Sequence, residues 1–190
     1  MSFWKKLFVV LPAFVILHLV ATGAAQLAEG LRGLWQPGAH DETYLLAAFP
    51  IGYAMGVAMG LAAAPGSTRR LLATALILST GGLYGFAELA NGYTGGSVSL
   101  ALAGFAAGLA LPVAGRALGL VGSLAAGGAL ALLTAAVWWL SVPFVGLFKQ
   151  GLPVSGMPGW AAPYLVQGVL CVLWLLPVLF LGGERPGRRR

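Results

Sequence analysis

The stretch GGLYGFAELANGYTGG (residues 81–96) holds one carboxylate, Glu88, near the end of a run with no other charge after Arg70. Counting by three and four from Gly81 reaches Tyr84, Gly85, Glu88, Asn91 and Gly92, a spacing that puts a phenol, a carboxylate and an amide on one helix face. The first apolar run carries a similar stripe, His18, Thr22, Gln26 and Glu29, and Tyr53 and Gln167 interrupt two later runs. These groups donate and accept hydrogen bonds, and Glu88 adds a charge. The chemistry they offer is recognition of a small polar solute. Each also has a plainer use: His18 as a bond between helices, and Glu88 as a solvated charge or the partner of Arg32 or Lys149.

Catalytic patterns are missing. With two histidines in the chain, and His40, Asp41 and Glu42 adjacent in a loop, no spacing suits a metal site. Ser155 in PVSGMPG has no evident base to activate it. There is no Gly-Lys-Ser/Thr phosphate loop. Cys171 stands alone in an apolar run, which excludes a disulfide framework and a paired-thiol redox motif. No cofactor is implied, and an enzyme is the least supported function.

The elements that position these groups follow from composition. Hydrophobic residues make up 59% of the 190-residue chain and charged residues 8%, against roughly 25% charged in soluble domains. A water-soluble fold of this size could not hide so much apolar surface, but a bilayer supplies an apolar solvent. Apolar runs at about 7–27, 44–65, 71–91, 97–114, 117–141 and 161–182 predict an all-α, polytopic transmembrane bundle of about six spans forming one integral membrane domain over 1–190. The net charge of +6 is spread in short groups between runs rather than gathered in a patch, so nucleic acid is not an expected partner. Lys5, Lys6, Arg69, Arg70, Arg116, Arg185, Arg188, Arg189 and Arg190 all fall on one side of such a bundle, with Arg32 and Lys149 on the other. That bias places both termini in the cytoplasm of a multi-pass cell-membrane (inner-membrane) protein. Trp35, Trp138, Trp139, Trp160 and Tyr164 then lie near the outer interface and Trp4 near the inner one.

The first 26 residues also carry the marks of a secretory signal: a basic start, an apolar stretch and small residues at Gly23, Ala24 and Ala25. His18 interrupts that stretch and an intact first helix fits the topology, so the segment is expected to stay as a span. GVAMGLAAAPGSTRRLL (56–72) echoes GFAAGLALPVAGRALGL (104–120), as two helical hairpins in one orientation would; an alanine-, glycine- and leucine-rich composition also produces such matches. Gly56 and Gly60, Gly104 and Gly108, and the series Gly115, Gly119, Ser123, Gly127 repeat every four residues. Small groups on one face let helices approach closely in lipid, inside the bundle or against a partner membrane protein.

With a helical rise of about 1.5 Å per residue, His18 and Tyr53 lie roughly 13 Å below the outer ends of their spans, Gln167 roughly 9 Å, and Glu88 near the boundary. The expectation is a shallow outward-facing pocket that draws on Glu88, Gln26, His18, Tyr53, Tyr84, Asn91 and Gln167. Two long outer loops, 28–43 and 148–163, rich in Pro and Gly and each with a tryptophan, are expected to cover it.

In size and topology, with no matched residues, the chain resembles the small substrate-binding subunits of energy-coupling-factor vitamin transporters. That resemblance implies that Glu88, Gln26, Tyr53 and Gln167 hydrogen-bond a substrate and that glycine faces meet an energising partner. Binding or transport of a small solute is thus one expected function. The other is a non-catalytic scaffold, assembly or regulatory subunit of a membrane complex.

Overall fold

The structure, a computed structural model that describes residues 3–63, 68–120, 122–148 and 158–180, is all-helical among those residues. Its elements are α1 (Phe3–His18), α2 (Gly23–Trp35), α3 (Asp41–Ala62), α4 (Thr68–Tyr84) continued by a π-helical turn (Gly85–Leu89), α5 (Tyr93–Ala117), α6 (Leu124–Leu147) and α7 (Ala162–Leu179). Taking α1 with α2, and α4 with its π turn, six segments are long and apolar enough to cross a membrane. The chain is a multi-pass membrane bundle. Five of its helices carry an internal proline, at Pro12, Pro50, Pro112, Pro143 and Pro177. Membrane helices tolerate this because neighbouring helices and local backbone adjustments satisfy the freed groups.

α5 is the centre. Of its most apolar stretch 67% is buried, against 17% for α6, so the bundle is built around one and the other lies at its edge. Glycine sets the packing. β-Carbons added at Gly52 and Gly56 would overlap the carbonyl oxygens of Ala101 and Phe105, and one at Gly60 would lie 2.9 Å from that of Leu109. The contacts advance together along both helices, so α3 and α5 run parallel. The reverse contacts repeat the pattern: Gly104 abuts Phe49 and Gly108 abuts Tyr53.

Each α3 residue in these contacts corresponds to the residue 52 positions later in α5, and the Gly52–Ala101 and Gly56–Phe105 contacts recur between the exchanged pairs, Gly104–Phe49 and Gly108–Tyr53. The interface therefore has a local two-fold axis along the helices. Aligned this way, GYAMGVAM (52–59) faces GFAAGLAL (104–111). The echo read from the sequence was one helical turn out of this register, because the third glycine, Gly60, corresponds to Pro112. α4 docks antiparallel on α5 through Gly82, whose β-carbon would lie 2.7 Å from the Ser99 oxygen. The equivalent position on α6 is Thr134. A threonine cannot allow that approach, and α6 meets α3 through rings instead: Trp138 lies 5.6 Å from Tyr53 and 6.3 Å from Phe49.

Several boundaries depart from expectation, and the span expected over 117–141 runs instead over Leu124–Leu147. The series Gly115, Gly119, Ser123, Gly127 is not one helix face, because Gly119 takes the left-handed conformation at φ +71° and stops α5. Ser123 then caps α6 by accepting the Ala126 N–H. Residues 28–35, expected as loop, continue α2, since LAEGLRGLW keeps a helical alternation of buried and exposed positions. The expected lid over 28–43 shrinks to residues 36–40 between helices. Residues 149–157 of the second expected lid, Lys149 among them, lie outside the described residues.

Candidate functional site at the Trp35 end

The first span is broken where its polar stripe begins. Beyond His18 the bonds tighten to three-residue closures, Ala21 N–H to the His18 oxygen (3.0 Å) and Gly23 N–H to the Val20 oxygen (2.9 Å), before α2 resumes. The break frees the Thr22 N–H, which donates to the Ser141 hydroxyl of α6 at 3.0 Å. The two hydroxyls also bond each other, and Gln26 Nε2 donates to Thr22 Oγ1 at 2.8 Å. A non-helical turn within a membrane span is thus satisfied by a neighbouring helix. Replacing Ser141 with Ala leaves the Thr22 N–H unpaired, and we expect a stability loss of about 1–2 kcal/mol, read as a lower chemical-unfolding midpoint in detergent; an unchanged midpoint would show that the turn holds without α6.

His18 is fully buried. Its Nδ1 lies 2.7 Å from the Phe14 carbonyl oxygen, which can only accept, so Nδ1 carries the proton. Nε2 is left to accept from the Tyr53 hydroxyl at 3.4 Å. Phe14 packs on the imidazole with ring centres 4.3 Å apart. The equal depths read from the sequence for His18 and Tyr53 agree with this meeting. It ties α1 to α3.

Past the break, α2 and the turn before α7 flank an open pocket of about 440 Å³ lined by Gln26, Leu27, Glu29, Gly30, Gly159 and Trp160. Trp160 rests against Trp35 (5.7 Å) and Phe86 (6.1 Å). Trp35 also meets Phe86 and Tyr93, and Phe86 packs 4.3 Å from Tyr164. These rings fasten α2, the π turn, α5 and α7 to one another beside the pocket. Beyond them, on α7, the Tyr164 hydroxyl and both amide atoms of Gln167 are buried without a hydrogen-bond partner. Arg32 does not reach Glu88. Its guanidinium forms a two-point pair with Glu42 at 2.8 and 2.7 Å.

The candidates from the sequence separate accordingly. Gln26 lines the pocket, His18 and Tyr53 meet one another, and Gln167 is sealed inside α7's packed face. Gly81, Tyr84 and Glu88 are exposed, as is Asn91 in the non-helical backbone past the π turn, and none of them lines the pocket. Gly82, Leu83, Phe86 and Ala87 take the inward face instead, because Gly82 must meet α5 and Phe86 must join the rings. The pocket's acid is Glu29, which the stripe on the first run contained. Its aromatic wall, Trp160, is the tryptophan of loop 148–163, which the sequence led us to expect over the pocket. Among the described residues no three of His, Cys, Asp or Glu stand close enough to hold a metal ion.

No family model matches the chain, and no curated protein matches it.

Proposed function

We propose that the protein binds a small solute, and passes it on or across, through the pocket at the Trp35 end, with that end facing outward from the cell membrane. The observation that carries this reading is the pocket itself. Its volume of about 440 Å³ falls in the range of small-molecule sites, and it opens beside a broken span, where membrane transporters gather polar backbone and side chains. The basic residues at the opposite ends of the spans support the orientation. Parallel, internally symmetric α3 and α5 suit a transporter built from repeats.

Detergent-purified protein screened against amines, vitamins and inorganic ions tests the reading. A ligand at a hundred times its dissociation constant stabilises the folded state by about 2.7 kcal/mol, which for a chain of this size raises Tm by roughly 5–10 °C. Gln26→Leu is expected to reduce that shift. If no compound moves the wild-type Tm, the solute reading fails.

The partner reading draws on a different face. Gly56, Gly60, Gly104 and Gly108 are consumed inside the bundle, whereas Gly127 and Gly128 on α6 have open space around them. A scaffold or assembly role would use α6, and a stoichiometric membrane protein co-purifying with the wild type, lost on Gly127→Leu, would favour it.

A further inference from the structure

The charge balance around the pocket bears on what kind of solute it takes. Glu29 is exposed and lines the cavity. Arg32, one helical turn further along α2, is the basic residue nearest it in sequence, and Arg32 is already committed to Glu42 through two hydrogen bonds of 2.8 and 2.7 Å. Asp41 is occupied too, accepting the Gly38 N–H at 2.9 Å. Glu29 enters no ion pair among the described residues. The pocket's described lining thus carries one negative charge and no positive one, and the Arg32 charge, which acts on Glu29 through space, is hydrogen-bonded to Glu42. The remaining lining is the Gln26 amide, the glycines, Leu27 and the indole of Trp160.

A carboxylate beside an indole selects by sign. An anion would be repelled by Glu29 and find no cationic lining group. A cation gains the carboxylate directly, and an aromatic ring adds attraction to an ammonium group through its negative face. Leu27 and Trp160 offer apolar surface for a carbon skeleton. The Gln26 amide oxygen stays free to accept, since its nitrogen is the atom bonded to Thr22.

We infer that the pocket takes an organic cation: a primary or quaternary ammonium compound whose charge lies at Glu29 and whose carbon skeleton lies against Trp160 and Leu27. This rests on the solute reading above and deepens it by naming the substrate class.

Matched probes test it on the full-length protein in detergent. Choline and benzylamine are compared with their uncharged counterparts, 3,3-dimethylbutanol and benzyl alcohol, and with benzoate. The expected result is a saturable rise in Tm with an ammonium probe, little or none with its neutral counterpart, and none with benzoate. Glu29→Gln, an exposed and nearly isosteric change that should leave the fold intact, weakens ammonium binding about tenfold, equivalent to about 1.4 kcal/mol. Trp160→Leu weakens it as well, and Glu88→Gln leaves it unchanged. Stabilisation by the neutral compounds or benzoate equal to that by the ammonium probes overturns the cation inference while the solute reading stands. Ammonium binding that Glu29→Gln leaves intact overturns the placement of the charge. Silence from these probes and from the whole screen of vitamins and ions removes both.

Discussion

Gly56→Val disrupts the bundle. The Gly56 position has no room for any β-carbon: one built there overlaps the Phe105 carbonyl oxygen and lies 2.7 Å from the Leu109 nitrogen. Both obstacles are backbone, so no side-chain rotation relieves the clash. α3 and α5 must separate along their length, which also opens the reciprocal contacts of Gly104 with Phe49 and Gly108 with Tyr53. Overpacking a close interface costs about 1–3 kcal/mol in ordinary cores and more where backbone obstructs. We expect about 3 kcal/mol or more here, a large part of the 5–15 kcal/mol that holds a typical domain together. The internal control is Gly127→Ala on α6, where nothing lies within 4 Å of the added atom. There the substitution should be neutral or stabilise slightly, because alanine is the better helix former. Chemical unfolding of both variants in detergent reads the difference, and equal midpoints would mean that α3 and α5 are not in backbone contact.

Gln167→Met should make the protein more stable, an unusual sign for a change in a core. Gln167 is fully exposed nowhere: its side chain is buried and neither amide atom has a partner. Leaving a polar group dehydrated and unbonded costs about 1–3 kcal/mol, and methionine keeps the length of the side chain while removing the polar atoms. A gain of that size raises Tm by several degrees in a chain of this length. A lower Tm would instead show that the amide is engaged in the folded protein by water or by a solute, and would extend the polar site past the ring cluster into α7.

What the sequence disclosed and what it hid have separate causes. Charge scarcity and run length are averaged over many residues, so the helical membrane bundle and its six spans were legible. Single-residue geometry is not averaged. The break at residues 19–22 is invisible to hydropathy because Leu19, Val20 and Ala21 keep the run apolar while Thr22 turns to Ser141. The rotation of α4 hinged on which of Gly81, Gly82 and Gly85 meets α5, and all three glycines read alike in sequence. Gly82 meets the α5 backbone and Gly81 has open space, so Glu88 points outward. Gln26 was correctly set beside Glu29 on one stripe, yet the wall opposite them comes from Gly159 and Trp160, more than a hundred residues away. The Pro- and Gly-rich loop 148–163 was expected to cover the pocket, but contacts of that range have no local signature to say which of its residues meet α2.

Cysteine labelling in intact membranes tests most directly whether this bundle holds a shallow, water-reached pocket that stops at its ring cluster. In a Cys171→Ala background, which removes the chain's one thiol, Gln26→Cys and Gly30→Cys should react with a membrane-impermeant maleimide from one side of the membrane. Gln167→Cys should react only after the protein is unfolded. A Gln26→Cys thiol as silent as Gln167→Cys, or a Gln167→Cys thiol that labels as fast as Gln26→Cys, would contradict the account.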